Sequence, residues 1–209
     1  MFFRRLAQRA WRGKLRGARD GPAFARFMSV TMAQDSTITI RAQRTDDQDE
    51  LFLLLTNEAA LLDSVEIPYM TEESFRDRFG NPPTGTHVLI AESVLPSARR
   101  RIIGASWLQV YTNRMRHTAR LTLVCLPQAR RGDGERRLLE AALALADEWL
   151  GLRRVELVIF ASDPADETFY AQFGFEREAV MRRYAVRQGA YADAWLLARR
   201  YVLKQEAQP

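Results

Sequence analysis

The stretch from Pro127 to Phe175 holds groups whose types and spacing could do chemistry. Residues 127–137 read Pro-Gln-Ala-Arg-Arg-Gly-Asp-Gly-Glu-Arg-Arg, a basic loop with two glycines that feeds a helical pattern. The first N–H groups of a helix have no partner inside it, and the helix dipole favours negative charge there. Such a loop suits a phosphate or pyrophosphate. Further on, Tyr170 carries a phenol whose reference pKa of about 10 lets it keep its proton at neutral pH and donate it. Cys125 would need an activating histidine to act as a nucleophile. His117 lies eight residues away on the same strand, so Cys125 reads as a buried strand residue. Glu156 is a candidate base, although its plainer reading is a hydrogen-bonded strand residue.

The elements that must position these groups follow from the hydrophobic pattern. Thr37–Ala42 alternates and reads as a first strand, and Thr45 reads as the N-cap of a helix running to about Leu62. Pro68 breaks the chain, Thr71 begins a second short helix, and the Gly80-Asn81-Pro82-Pro83 cluster stops it. His87–Ser93, Arg101–Val110 and His117–Leu126 read as three strands of an antiparallel meander. Glu135–Leu150 carries a buried stripe at Leu138, Leu139, Ala142, Leu143, Ala146, Trp149 and Leu150, and Gly151 caps it. Val155–Phe160 is a buried strand, parallel to the one before the helix because a strand–helix–strand crossover joins them. Pro164 opens a short helix that Gly174 ends, and Phe175–Val202 reads as two strands paired around Arg187-Gln188-Gly189. The fold class is thus α/β of the α+β type: a mixed, mostly antiparallel sheet of about seven strands with a central parallel βαβ unit and helices on both faces.

Composition narrows the function classes. A chain of 209 residues that is 47% hydrophobic can bury one domain core. One cysteine excludes a disulfide framework within the chain, and Cys125, His87 and His117 match no zinc spacing. Acidic interruptions leave no apolar run long enough to span a bilayer. The net charge of +5 is unevenly spread: residues 1–27 hold eight basic residues and one acid, which leaves the other 182 residues at −2. The folded body is therefore expected not to bind nucleic acid. Residues 1–36 read as a basic extension, disordered or dispensable, followed by a domain over 37–204 and a tail over 205–209. A targeting segment or a basic arm that touches nucleic acid or anionic lipid are the other readings of the extension.

The element order resembles the GCN5-related N-acetyltransferase family over roughly residues 37–203. Three anchors carry the likeness: Pro127 through Leu138-Leu139; Asp163-Pro164-Ala165 followed by Phe169-Tyr170 and Phe173-Gly174-Phe175; and the closing Arg183–Arg199 segment with Arg114–Ala119. The closing segment and Arg114–Ala119 are similar to bacterial L-amino acid N-acetyltransferases. The resemblance implies acetyl-CoA as co-substrate, a small-molecule primary amine as acceptor, a cytoplasmic location and a possible homodimer. It implies Tyr170 as general acid, a main-chain oxyanion donor among Leu123, Val124 and Cys125, and cofactor contacts from Arg130, Arg131, Gly132, Asp133, Gly134, Glu135 and Asp163.

The loop departs from the family pattern, Arg/Gln-x-x-Gly-x-Gly/Ala. In the ungapped register Arg130 takes the first position, Asp133 the first glycine and Glu135 the Gly/Ala, while Gly132 and Gly134 each fall one residue early. Acids at those positions are expected to weaken pyrophosphate binding. The strand Arg120–Leu126 carries no carboxylate, so a dedicated base is missing there. The alternative is a non-catalytic protein of this fold that binds a ligand or partner. The acceptor pocket is expected between Leu62 and Phe75, where Ile67, Pro68 and Tyr69 could meet an apolar side chain.

Overall fold

The computed structural model describes residues 38–62, 64–67, 69–94 and 99–201, all within the unit Ser36–Pro209. The basic extension, Pro68 and the tail lie outside the described residues. The sheet has seven strands in the order β1-β2-β3-β4-β5-β7-β6: β1 Ile38–Ala42, β2 Thr86–Val94, β3 Arg100–Val110, β4 Thr118–Cys125, β5 Arg154–Phe160, β6 Phe175–Arg187 and β7 Ala190–Arg200. Only β4 and β5 pair in parallel, joined through α4, Asp133–Ala144.

The first expected helix is broken into two. Thr45–Asp47 forms a tight turn whose N-cap is Arg44 rather than Thr45; the Asp47 carboxylate accepts the Arg44 N–H at 2.7 Å. Helix α1 spans Gln48–Leu55. It ends where the Thr56 hydroxyl donates to Phe52 O, and Asn57 restarts the chain as α2, Glu58–Leu61, by accepting the Ala60 N–H. Helix α3, Glu72–Phe75, is capped by Thr71 as expected, and one wider turn closed by Asn81 N–H to Arg76 O carries it to Gly80.

Side chains alternate across a strand, so register fixes which residues share a face. Thr86, Gln109 and Arg120 lie side by side, with Val88, Trp107 and Thr122 in the next row on the same face. The Phe79 ring meets Trp107 edge-on at 5.4 Å and stacks near Phe75, so this face packs against the α1–α3 segment. The opposite face presents Leu108, Leu121 and Leu157 to Leu139, Ala142 and Leu143 of α4. Leu138 and Leu139 are fully buried, as the helical stripe requires, but Trp149 at its far end is 81% exposed, because the last turn, Leu145–Trp149, widens and shifts the stripe out of phase. Truncating Leu138 to alanine should cost about 2–5 kcal/mol, measured by urea unfolding.

Helix α5, Pro164–Ala171, begins at Asp163, whose side chain accepts the Ala165 N–H at 2.9 Å. Gly174 ends it with φ +83°, a conformation that L side chains rarely adopt. This short helix sets Tyr170 beside the start of α4.

Candidate active site

Strands β4 and β5 part company halfway along. Their ladder runs from Thr118–Arg154 only to Leu121–Leu157, although β4 continues to Cys125 and β5 to Phe160. The direction of the main-chain groups beyond that point can be worked out. Leu126 N–H donates to Ile103 O at 2.9 Å and Tyr111 N–H to Thr118 O at 3.0 Å, so even-numbered residues of β4 turn their main chain towards β3. Leu121, Leu123 and Cys125 therefore face β5. Continuing the ladder would join Leu123 N–H to Val158 O, and that pairing is absent. The main-chain groups of Leu123, Cys125 and Phe160 and the Val158 carbonyl thus line a V-shaped cleft without a strand partner. Val124 differs from its two neighbours, because its N–H faces β3 and its side chain joins the core.

A cavity of about 370 Å³ opens at this cleft. One end is bounded by Cys125, Glu135, Asp166 and Tyr170, the other by Glu66, Arg78, Phe79, Thr86, Trp107, Gln109 and Arg120. The cleft joins the two faces of the sheet, so a molecule threaded past α4 can meet a second one held under α1–α3.

The loop between β4 and α4 is internally bonded. Glu135, only 5% exposed, accepts the Arg131 N–H at 2.5 Å with Oε2 and the Tyr170 hydroxyl at 2.6 Å with Oε1. The Arg130 guanidinium pairs with Asp166 at 2.7 Å, and that of Arg131 with Asp163 at 2.7 Å. Arg131 itself sits at φ +52°. Gly134 is wedged against the loop: a Cβ there would lie 2.9 Å from Ala129 Cβ and 3.2 Å from Ile103 Cδ1. Gly134→Val should therefore force the loop apart and cost about 1–3 kcal/mol of stability, measured by chemical unfolding.

Burial pushes the Tyr170 phenol well above its ordinary pKa, and the Glu135 carboxylate adds to the shift. Burial likewise raises the Cys125 thiol, again with help from Glu135, which leaves it un-ionised at neutral pH. The Asp163 carboxyl is held below its usual range by the Ala165 N–H and then by Arg131.

The structure brings some of the expected site residues together and sets others apart. Leu123, Val124, Cys125, Arg130, Glu135 and Tyr170 all border the cavity. Arg131, Gly132, Asp133, Gly134 and Asp163 form the loop and the start of α5 but do not line the cavity, and Asp133 is exposed. Of the two loop acids, only Glu135 turns inward. Glu156 is bonded to Arg154 at 2.8 Å and accepts the Tyr111 hydroxyl at 3.4 Å, as its plainer reading expected; it sits beside Arg120 in the sheet but does not itself line the cavity. Arg136 lies over the Phe169 and Phe173 rings, and Arg137 donates to Ile38 O, so neither arginine is turned into the loop. Within the expected acceptor segment Leu62–Phe75, Ser64, Val65 and Glu66 border the cavity, whereas Ile67 and Tyr69 are 70% and 87% exposed.

Sequence reasoning missed the far wall of the cavity. Trp107 Nε1 and Thr86 Oγ1 are buried polar atoms without a hydrogen-bond partner. Arg120 makes no ion pair among the described residues, while Glu66 and Arg78 neutralise each other at 2.6 Å. Alternation along β2, β3 and β4 would have grouped Thr86, Trp107 and Arg120, but only once the pairing register was known. Among the described residues no cluster of histidine, cysteine and acids could hold a metal ion, and no helix is long and apolar enough to cross a membrane.

A splayed parallel pair, a helix-opening loop and a buried phenol meet at this one cleft. L-amino acid N-acetyltransferase AaaT of Escherichia coli is 24% identical over 165 residues, covering 78% of this chain and 98% of that protein. Spermidine N-acetyltransferase from Vibrio cholerae, solved with CoA and spermine, has a TM-score of 0.66 at 20% identity, covering 77% of this chain and 94% of that one. Phosphinothricin acetyltransferase from Sinorhizobium meliloti, solved with AcCoA, has a TM-score of 0.64 at 21% identity, covering 83% and 93%. No family model matches the chain. The chain thus shares the fold of these N-acetyltransferases and is similar in sequence to one of them over most of its length.

Proposed function

We propose that the protein moves an acetyl group from acetyl-CoA to the primary amine of an L-amino acid. The observation that carries this reading is the cleft itself, where unpaired main-chain groups of Leu123, Cys125 and Phe160 and the Val158 carbonyl lie next to Tyr170. An extended ligand with its own amides can enter as an added strand and satisfy those groups. The amide-bearing arm of coenzyme A fits that requirement, and the co-substrate supplies the activated acyl group. The Leu123 and Cys125 N–H groups point into the gap and are the donors available to an acyl oxygen as negative charge develops on it. Tyr170 holds a proton for the departing sulfur. The thiol of Cys125, kept neutral by burial, takes no part.

The acceptor is read from the far wall. Trp107 Nε1 can only donate, Arg120 carries an unmatched positive charge, and Thr86 Oγ1 lacks a partner. These groups call for an anionic, hydrogen-bond-accepting substituent, and the carboxylate of an amino acid supplies one. A polycation would leave them unmatched and would meet Arg120 with like charge. The relative that acts on L-amino acids agrees with this choice. Glu156 stands beside Arg120 in the sheet but is held by Arg154 and the Tyr111 hydroxyl, and Glu66 is held by Arg78, so neither is free to take the amine proton and the amine must arrive neutral. An α-amine, with a reference pKa of about 7.7–8.0 in peptides, meets that need more readily than a lysine side chain at about 10.4.

Arg120→Ala should raise the amino-acid KM roughly 10-fold or more, the loss expected for a hydrogen bond to a charged group, with a smaller change in kcat. Initial rates of thiol release over a panel of amino acids check this. An unchanged KM would remove Arg120 from the acceptor site.

A further inference from the structure

Glu135 occupies an unusual place for a residue in the first turn of a helix. An acid there ordinarily reaches back over the surface to the N-cap N–H, as in a capping box. Here the side chain is buried, and it bridges two partners that differ in function. One is the Arg131 N–H, which the loop presents inward through its left-handed φ of +52°. The other is the Tyr170 hydroxyl. The guanidinium groups of Arg130 and Arg131 point instead to Asp166 and Asp163. The loop is therefore supplied with an anion of its own, and an incoming phosphate meets a carboxylate where it would bind.

Resting on the acetyl-CoA reading above, we propose that the Glu135 carboxylate is an internal competitor for the cofactor pyrophosphate and a positioning residue for Tyr170. A phosphate oxygen that takes the Arg131 N–H must displace Glu135 Oε2, because two anions cannot share one donor at this range without strong repulsion. Moving that carboxylate withdraws Oε1 from the Tyr170 hydroxyl in the same step. The phenol is then free to turn towards the sulfur. Glu135 thus lowers affinity for the pyrophosphate and ties release of the proton donor to its arrival. A ligand that carries the acyl-bearing arm but no pyrophosphate leaves Glu135 in place.

The test compares CoA with pantetheine, which lacks the pyrophosphate, by calorimetric titration of the wild type, Glu135→Ala and Glu135→Gln. Glu135→Ala should tighten CoA roughly 10- to 100-fold, while pantetheine affinity changes by less than about 3-fold. Glu135→Gln keeps the side-chain volume, guards against loosening of the fold in the alanine variant, and should tighten CoA in the same direction by a smaller factor. Adding CoA to the wild type should also perturb a tyrosine absorbance band that is missing in Tyr170→Phe and weaker in Glu135→Ala, where the phenol is already free. CoA binding that is unchanged or weaker in both Glu135 variants overturns the proposal, as does equal tightening of CoA and pantetheine. A wild type that binds neither ligand would sink the acetyl-CoA reading instead.

Discussion

Replacing Tyr170 with phenylalanine should lower kcat by about 10²- to 10⁴-fold, the span expected for loss of a positioned proton donor, while the KM for acetyl-CoA moves little. The ring sits in an aromatic cluster, 5.2 Å from Phe169 and 6.1 Å from Phe175 between centroids, and both contacts survive the substitution. Only the hydroxyl is lost, and with it the bond to Glu135. A purely structural tyrosine would show the opposite pattern, with lowered stability and a rate close to that of the wild type. Urea unfolding run beside the kinetics separates the two. The pH profile adds a second check. Burial, reinforced by Glu135, pushes the phenol above its ordinary value, so Tyr170 stays protonated well past neutral pH. The wild type should therefore show no alkaline loss of kcat from Tyr170 below about pH 10. A fall in that range that disappears in Tyr170→Phe would contradict the assignment.

Removing the carboxylate from the acceptor should have an effect of similar size. An amine that matches a good amino-acid substrate in every respect but the α-carboxylate should lose about 10²- to 10⁴-fold in kcat/KM. The reasoning follows from the unpaired donors. A site built to bond a polar substituent discriminates strongly against an analogue that lacks it, because its own buried groups are then left unsatisfied. Trp107 is 7% exposed and cannot turn its Nε1–H to bulk water without leaving the core. Arg120 adds the charge that distinguishes a carboxylate from a neutral acceptor. Spermine should be poorer still. Equal rates with the amino acid and its decarboxylated analogue would show that these donors serve something other than the acceptor.

Much of this architecture was legible in the sequence, for reasons tied to period and punctuation. The stripe from Leu138 to Ala146 required a buried helix, and a strand–helix–strand crossover required the parallel β4–β5 pair. Gly174, Gly151 and Thr71 mark element ends by local chemistry, and each does so in the structure. The break after Leu55 was not legible, because it depends on Thr56 and Asn57 choosing local hydrogen bonds over continuation of the helix. Site geometry was harder to read. Tyr170 could be placed beside the loop, but an acid in the first turn of α4 looks the same in sequence whether it points outward, as Asp133 does, or inward, as Glu135 does. The segment after Leu62 was placed at the acceptor end, but the strand residues of that wall were missed for another reason. Exposed Ile67 and Tyr69 resemble pocket residues by type, whereas Thr86, Trp107 and Arg120 become neighbours only through strand register, which no local signal fixes.

If this cleft passes an acetyl group to the amine of an amino acid, two products must form together. The most direct measurement follows both products in one reaction: free CoA thiol and N-acetylated amino acid, in the presence of acetyl-CoA and an L-amino acid. The two should appear in equal amounts with the wild type, and both should slow together in Tyr170→Phe. Thiol release without an acetylated amine across the full panel of amino acids, or no turnover at saturating acetyl-CoA, would contradict the proposed function.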